Sequence, residues 1–164
     1  MEEKRLRIPV HLALTLPVIA LALAACTPFR VVVLSDPLSA QEHVDLGVAY
    51  ENQGLFDLAK KEYRKAADLR NDWSIPIFNL GNVAYKENDL NAAEDCYRKA
   101  LTFDPINPDI MNNLAVVLHE SGRTDEALSL VDRALSIQRK DEYLDTLRRI
   151  TSCRKGSLTP SGGD

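Results

Sequence analysis

Apolar residues along most of this chain recur at helical spacing, and short polar breaks separate the runs. Val44, Val48 and Tyr50 beside Leu46 put an apolar stripe on one predicted helix. Three breaks, Asn52-Gln53-Gly54, Glu87-Asn88-Asp89 and Glu120-Ser121-Gly122, each hold a Gly or Asn able to take a left-handed conformation, as a tight turn after a helix requires. Asp57, Asn91 and Asp125 follow shortly after those breaks, where side-chain acceptors are expected to cap the next helix. Near the end, Tyr143, Leu144, Leu147 and Ile150 form another stripe, with Asp145, Arg148 and Arg149 pointing outward. The pattern predicts an all-α chain.

The same pattern repeats. His43-Val44-Asp45-Leu46-Gly47 aligns with Ile77-Phe78-Asn79-Leu80-Gly81 and with Met111-Asn112-Asn113-Leu114-Ala115, each row 34 residues after the last. The register holds without a gap through Gly54, Asn88 and Gly122, then Ala59, Ala93 and Ala127, then Tyr63, Tyr97 and Val131, then Ala66, Ala100 and Ala134. Small residues at 47, 81 and 115 would let the second helix of each unit approach the first closely, with the alanines at 59, 93 and 127 doing the same from the other side. Tyr63 and Tyr97 are then expected to fill the space between helix pairs.

Period and residue types together resemble the tetratricopeptide repeat. The first unit (40–73) supplies Leu46-Gly47, Tyr50, Ala59, Tyr63 and Ala66, and the second (74–107) Leu80-Gly81, Ala93, Tyr97, Ala100 and Pro105. The third (108–140) supplies Leu114, Ala115, Leu118, Gly122, Ala127 and Ala134. The first aromatic of the pattern is replaced by His43, Ile77 or Met111, and the closing Pro survives only in the second unit. The resemblance implies a right-handed solenoid of three helix-turn-helix repeats; the stripe that follows is expected to form a capping helix at 141–154, and 155–164 a disordered tail.

It also implies a protein-binding scaffold rather than an enzyme. In this family ligand-contacting side chains recur on the first helices, which line the concave side. Carried onto this chain, those positions include Val44, Val48, Phe78, Asn82, Tyr85, Lys86, Asn112, Val116 and His119. An apolar floor mixed with hydrogen-bonding groups suits an extended peptide or a partner helix, with Phe78 and Tyr85 as anchor candidates because large rings dominate interface energetics. The valines fit equally well as packing between first helices. A subgroup that grips C-terminal carboxylates is not matched, since Val44 or Phe78 stands where it needs Lys.

The N-terminus follows a different logic. Lys4, Arg5 and Arg7 precede an apolar run from Ile8 to Ala25, the arrangement of an export signal. Leu23-Ala24-Ala25-Cys26 resembles the bacterial lipoprotein signal, in which small residues precede a cysteine that is lipidated and becomes the first residue once the signal is cut. This implies a signal at 1–25 and an acylated Cys26, since stable anchoring takes more than one acyl chain. Cleavage by the ordinary peptidase near Ala24-Ala25, leaving Cys26 an incidental thiol, fits the same residues. The stretch 26–39 is too apolar for a plain spacer, and Phe29 and Leu34 are expected to lie on the first repeat.

Charge narrows the partners further. The net charge of −4, or −5 once residues 1–25 are removed, and the interleaving of acids with bases argue against nucleic acid. No phosphate loop, nucleophile elbow, zinc signature or cofactor motif is present. His43 stands at an aromatic core position and is expected to pack there, and Cys96 and Cys153 are expected as free thiols, too far apart in a stacked solenoid to bridge. The sequence therefore predicts a non-catalytic adaptor of the bacterial cell envelope, in the outer membrane facing the periplasm if the cell is Gram-negative. A structural subunit or assembly factor of an envelope, secretion or pilus complex is the alternative, as is the accessory partner of an envelope peptidase.

Overall fold

The computed structural model describes residues 36–156, with side chains as far as Ser152. Cys26 and the stretch 27–35 lie outside the described residues, as does the side chain of Cys153. Seven helices and no strand occur among the described residues. α1 (Ala40–Asn52) and α2 (Phe56–Leu69) form a first hairpin, α3 (Ser74–Lys86) and α4 (Leu90–Phe103) a second, and α5 (Pro108–Glu120) and α6 (Thr124–Ile137) a third. α7 (Asp141–Gly156) packs on both α5 and α6 and closes the stack. The all-α solenoid expected from the period is the fold observed.

Each hairpin turns on one left-handed residue: Gly54 at φ 74°, Asn88 at φ 62° and Gly122 at φ 82°. A side chain with a Cβ is strained there, which accounts for Gly, Asn, Gly at matching places. The helix starts differ from expectation. Residues 55, 89 and 123 are the N-caps of the second helices, and only Asp89 uses its side chain, accepting from the Ala92 amide. Asp57 and Asp125 lie inside the first turn, where they favour the helix dipole without capping, and Asn91 likewise falls within α4. The turn is two residues shorter than caps at 57, 91 and 125 would need. Stronger caps stand elsewhere: Ser39 and Glu42 form a reciprocal capping box on α1, and Asn107 accepts from the Asp109 and Ile110 amides ahead of Pro108.

Close helix approach works as the small residues predict. A Cβ on Gly47 would stand 2.4 Å from Tyr63 Cε1, and one on Gly81 would stand 2.5 Å from Tyr97 Cε1. Both rings are almost fully buried. In the third hairpin Ala115 replaces the Gly and Val131 replaces the Tyr, and both are fully buried. Added volume on one helix is matched by lost volume on its partner, which keeps the packing dense.

The core divides unevenly. A large apolar cluster runs from Ile77 through the second and third hairpins to Tyr143 and Ile150 of α7. A smaller one holds Val44, Ala59, Tyr63, Ala66 and Val83 around the first hairpin. His43 is fully buried as expected, but with a partner the pattern did not suggest: its Nδ1 lies 2.7 Å from Glu62 Oε2 on α2.

Candidate functional site

The first helices of the hairpins lie side by side, with α1 touching α3 and α5 touching α7. Between them runs a groove of about 660 Å³. α1 contributes Glu51, α3 contributes Asn82, Tyr85 and Lys86, and α5 contributes Asn112, Asn113 and Val116. Glu142, Asp145, Thr146 and Arg149 of α7 form the far wall, and Tyr97 reaches the groove from α4.

Five of the residues expected at a ligand site, Asn82, Tyr85, Lys86, Asn112 and Val116, come together in this groove. Four do not. Val44 is 5% exposed and belongs to the core of the first hairpin. Phe78 is half-buried, packs against the main core and sets its ring 5.7 Å from that of Tyr97. Both occupy the fifth position of their unit, and Asn112, at the same position, is 2% exposed. At this position Val44 and Phe78 pack between neighbouring helices, whereas Asn112 lines the groove. Val48 is exposed on α1 but does not line the groove, and His119, half-buried on the last turn of α5, is also outside it.

The α7 wall and Asn113 were not anticipated, because α7 reads as a cap. Thr146 falls one 34-residue period after Asn112, so α7 continues the row of first helices.

Hydrogen bonds tie the groove's polar groups to one another. Lys86 Nζ donates to Glu51 at 2.7 Å, joining α3 to α1. Tyr85 and Arg149 both donate to Glu120, at 2.8 and 3.1 Å, joining α3 and α7 to α5. Burial and the facing Glu120 carboxylate push the Tyr85 hydroxyl pKa up. At the centre Asn82 Oδ1 accepts from Tyr97 at 2.8 Å and from Asn113 Nδ2 at 3.0 Å. Burial holds the Tyr97 hydroxyl protonated well above its ordinary range. Asn113 Oδ1 in turn receives a long contact, 3.4 Å, from Asn112 Nδ2. The relay ends at Asn112 Oδ1, which is buried with no hydrogen-bond partner among the described residues.

The register and the stacked hairpins decide the family. Two family profiles, both of the tetratricopeptide repeat, match residues 43–72 and 84–150. The chain belongs to the tetratricopeptide-repeat family. Among curated relatives of this TPR chain, human "Tetratricopeptide repeat protein 6" is 36% identical over 70 residues, covering 43% of the chain and 14% of the relative. "Photosystem I assembly protein Ycf3" of Rippkaea orientalis is 30% identical over 98 residues, covering 54% and 57%. The TPR chain thus spans little more than half of one relative and a small part of the other. Among solved structures, the first TPR of Spaghetti (RPAP3) bound to an HSP90 peptide superposes with a TM-score of 0.68 at 18% identity, covering 75% of this chain and 98% of that one. That likeness is one of fold.

Other chemistry is sparse. Cys96 is a free, half-buried thiol whose pKa burial pushes up. No group of three or more His, Cys, Asp or Glu gathers as a metal site among the described residues. No helix there is long and apolar enough to cross a membrane.

Proposed function

We propose that this TPR protein is a non-catalytic adaptor that holds a short extended segment, or a single helix, of a partner protein in the groove between α1, α3, α5 and α7. Solenoids use their concave surfaces in this way. The observation that carries the reading is the asparagine relay ending on a buried carboxamide oxygen without a partner. A buried acceptor of this kind is costly to leave unsatisfied, and a peptide N–H is the donor a protein ligand brings. With its Oδ1 already committed, the Asn82 amide offers its Nδ2 to a peptide carbonyl.

The charge of the groove selects among ligands. Its two cations are each held by a carboxylate of the protein, Lys86 by Glu51 and Arg149 by Glu120. A C-terminal carboxylate would have to break those pairs, so an internal segment or one bearing basic residues fits better. A photo-crosslinking amino acid at position 85 in living cells, followed by mass spectrometry, tests the site. Crosslinks to one protein through a defined segment are expected, and crosslinks that arise only from convex positions on α2, α4 and α6 would rule the groove out as the binding site.

The adaptor is read as membrane-tethered through acylated Cys26, on the strength of Leu23-Ala24-Ala25-Cys26 behind an apolar run. Thr27 after the cysteine is compatible with an outer-membrane location facing the periplasm. Metabolic labelling with a palmitate analogue should mark the protein and be lost in Cys26→Ser. Labelling that survives the substitution rules the anchor out.

A further inference from the structure

Three-residue turns make each hairpin antiparallel, so the solenoid has two edges. One carries the turns inside the hairpins. The other carries the connections between them, at 70–73, 104–107 and 138–140, together with the entry into α1 at Pro37–Ser39. Of the eight large apolar side chains that stand exposed among the described residues, five lie at the second edge: Leu69, Ile75, Phe103, Ile106 and Ile137. Leu69, Phe103 and Ile137 are one repeat apart and 58%, 37% and 49% exposed, so they form a row along that edge. Ile106, the most exposed at 71%, stands where the neighbouring units carry Asp72 and Lys140. The repeat itself does not require an apolar residue there.

We infer that this edge rests on the bilayer surface, with the row of Leu69, Phe103 and Ile137 and the tip at Ile106 dipping into the headgroup region. The inference builds on the anchoring through Cys26. Nine residues, or ten Cα–Cα steps, separate Cys26 from Asp36, a span of at most about 36 Å even when fully extended. The chain then enters the solenoid at the apolar edge, so that edge is the one joined most directly to the anchor. A tether raises the local concentration enough for a modest apolar contact to form. Trp73 belongs to the same edge, half-buried with the Arg70 guanidinium 4.3 Å from its ring centroid. An aromatic body beside a cation is the residue chemistry of a membrane–water interface. The edge carries Asp68, Asp72, Asp104 and Asp141 as well as Arg70, Arg139 and Lys140, so apolar contact rather than net positive charge drives the docking.

Trp73 is the single tryptophan of the chain and reports the contact directly. Full-length acylated protein is reconstituted into phosphatidylethanolamine–phosphatidylglycerol vesicles whose acyl chains carry bromine. Trp73 fluorescence is expected to be quenched. A Phe103→Glu/Ile106→Glu/Ile137→Glu variant should keep its helical circular dichroism and float with the vesicles while losing the quenching. A Leu55→Glu/Leu58→Glu control near the opposite edge should retain it. Acylated, vesicle-bound protein with unquenched Trp73 overturns the edge contact alone, as does quenching that persists in the triple variant. Crosslinks joining the same edges of two copies, abolished by the triple variant, overturn it in favour of a dimer. Protein that carries no acyl chain and stays off the vesicles overturns the anchor and the edge contact together.

Discussion

At Gly81 a single hydrogen atom is all the space the neighbouring ring leaves. Alanine is the better helix former by about 1 kcal/mol, yet its Cβ would stand 2.5 Å from Tyr97 Cε1. The ring cannot swing away, because it is 1% exposed and its hydroxyl is tied to Asn82. Gly81→Ala should therefore destabilise the fold by about 1–3 kcal/mol, read as a lower urea midpoint. The third hairpin shows the compensation, with Ala115 beside the smaller Val131. Gly81→Ala combined with Tyr97→Val should accordingly cost less than the sum of the two single changes, and strict additivity would contradict the close packing. These small-large pairs are legible in the sequence because they recur at a fixed offset. The pairing of His43 with Glu62 is not: it joins two residues of one unit, and the next unit has Ile77 and Cys96 at those positions. A contact that appears once leaves no period to read.

Between elements, ion pairs join one hairpin to the next. Glu94 on α4 takes a hydrogen bond from Arg123 at the start of α6 and another from Arg98 on its own helix. The Arg123 bond, with Arg98 adding to it, holds the Glu94 carboxyl below the ordinary glutamate value of 4.5. Asp109 on α5 behaves similarly: burial pushes its pKa up, but hydrogen bonds from Lys140 and Tyr143 outweigh this and bring it down. A carboxyl with a lowered pKa in the folded state contributes stability above its unfolded pKa, and that stability is lost as pH falls through the folded value. The thermal midpoint should drop as pH is lowered from about 5 toward 3, and Glu94→Gln should flatten part of that drop. An unchanged acid profile in the variant would assign the loss to other groups. The last helix depends on apolar burial as well. Ile150 of α7 is 1% exposed, and Ile150→Ala should cost about 2–4 kcal/mol in chemical denaturation. The helical hairpins and the places of their turns could be read from spacing alone. The caps could not, because a shift of two residues in where a helix starts moves the cap from Asp57 or Asp125 to Leu55 or Arg123.

Over the whole solenoid each hairpin touches only its neighbours, so stability is distributed along one dimension. The large apolar cluster lies in the second and third hairpins and α7, while the first hairpin has the smaller cluster and leaves Val48, Leu55 and Leu58 exposed. Amide hydrogen exchange should then be fastest in α1 and α2 and slowest in α5 and α6. Uniform protection across the three hairpins would contradict this uneven division of the core. By itself the sequence determined the helical hairpins, their register and the family, because a 34-residue period repeats each local choice of small, aromatic and turn residue. It also named most of the α3 and α5 side of the groove. The tertiary structure alone decided that α7 is a wall of the site as well as a cap, that Val44 and Phe78 are committed to packing, and that the asparagine relay ends on an unmet acceptor. Those outcomes depend on which side chains neighbouring helices bring within a few ångströms of one another, and that information lies between units rather than within the repeat.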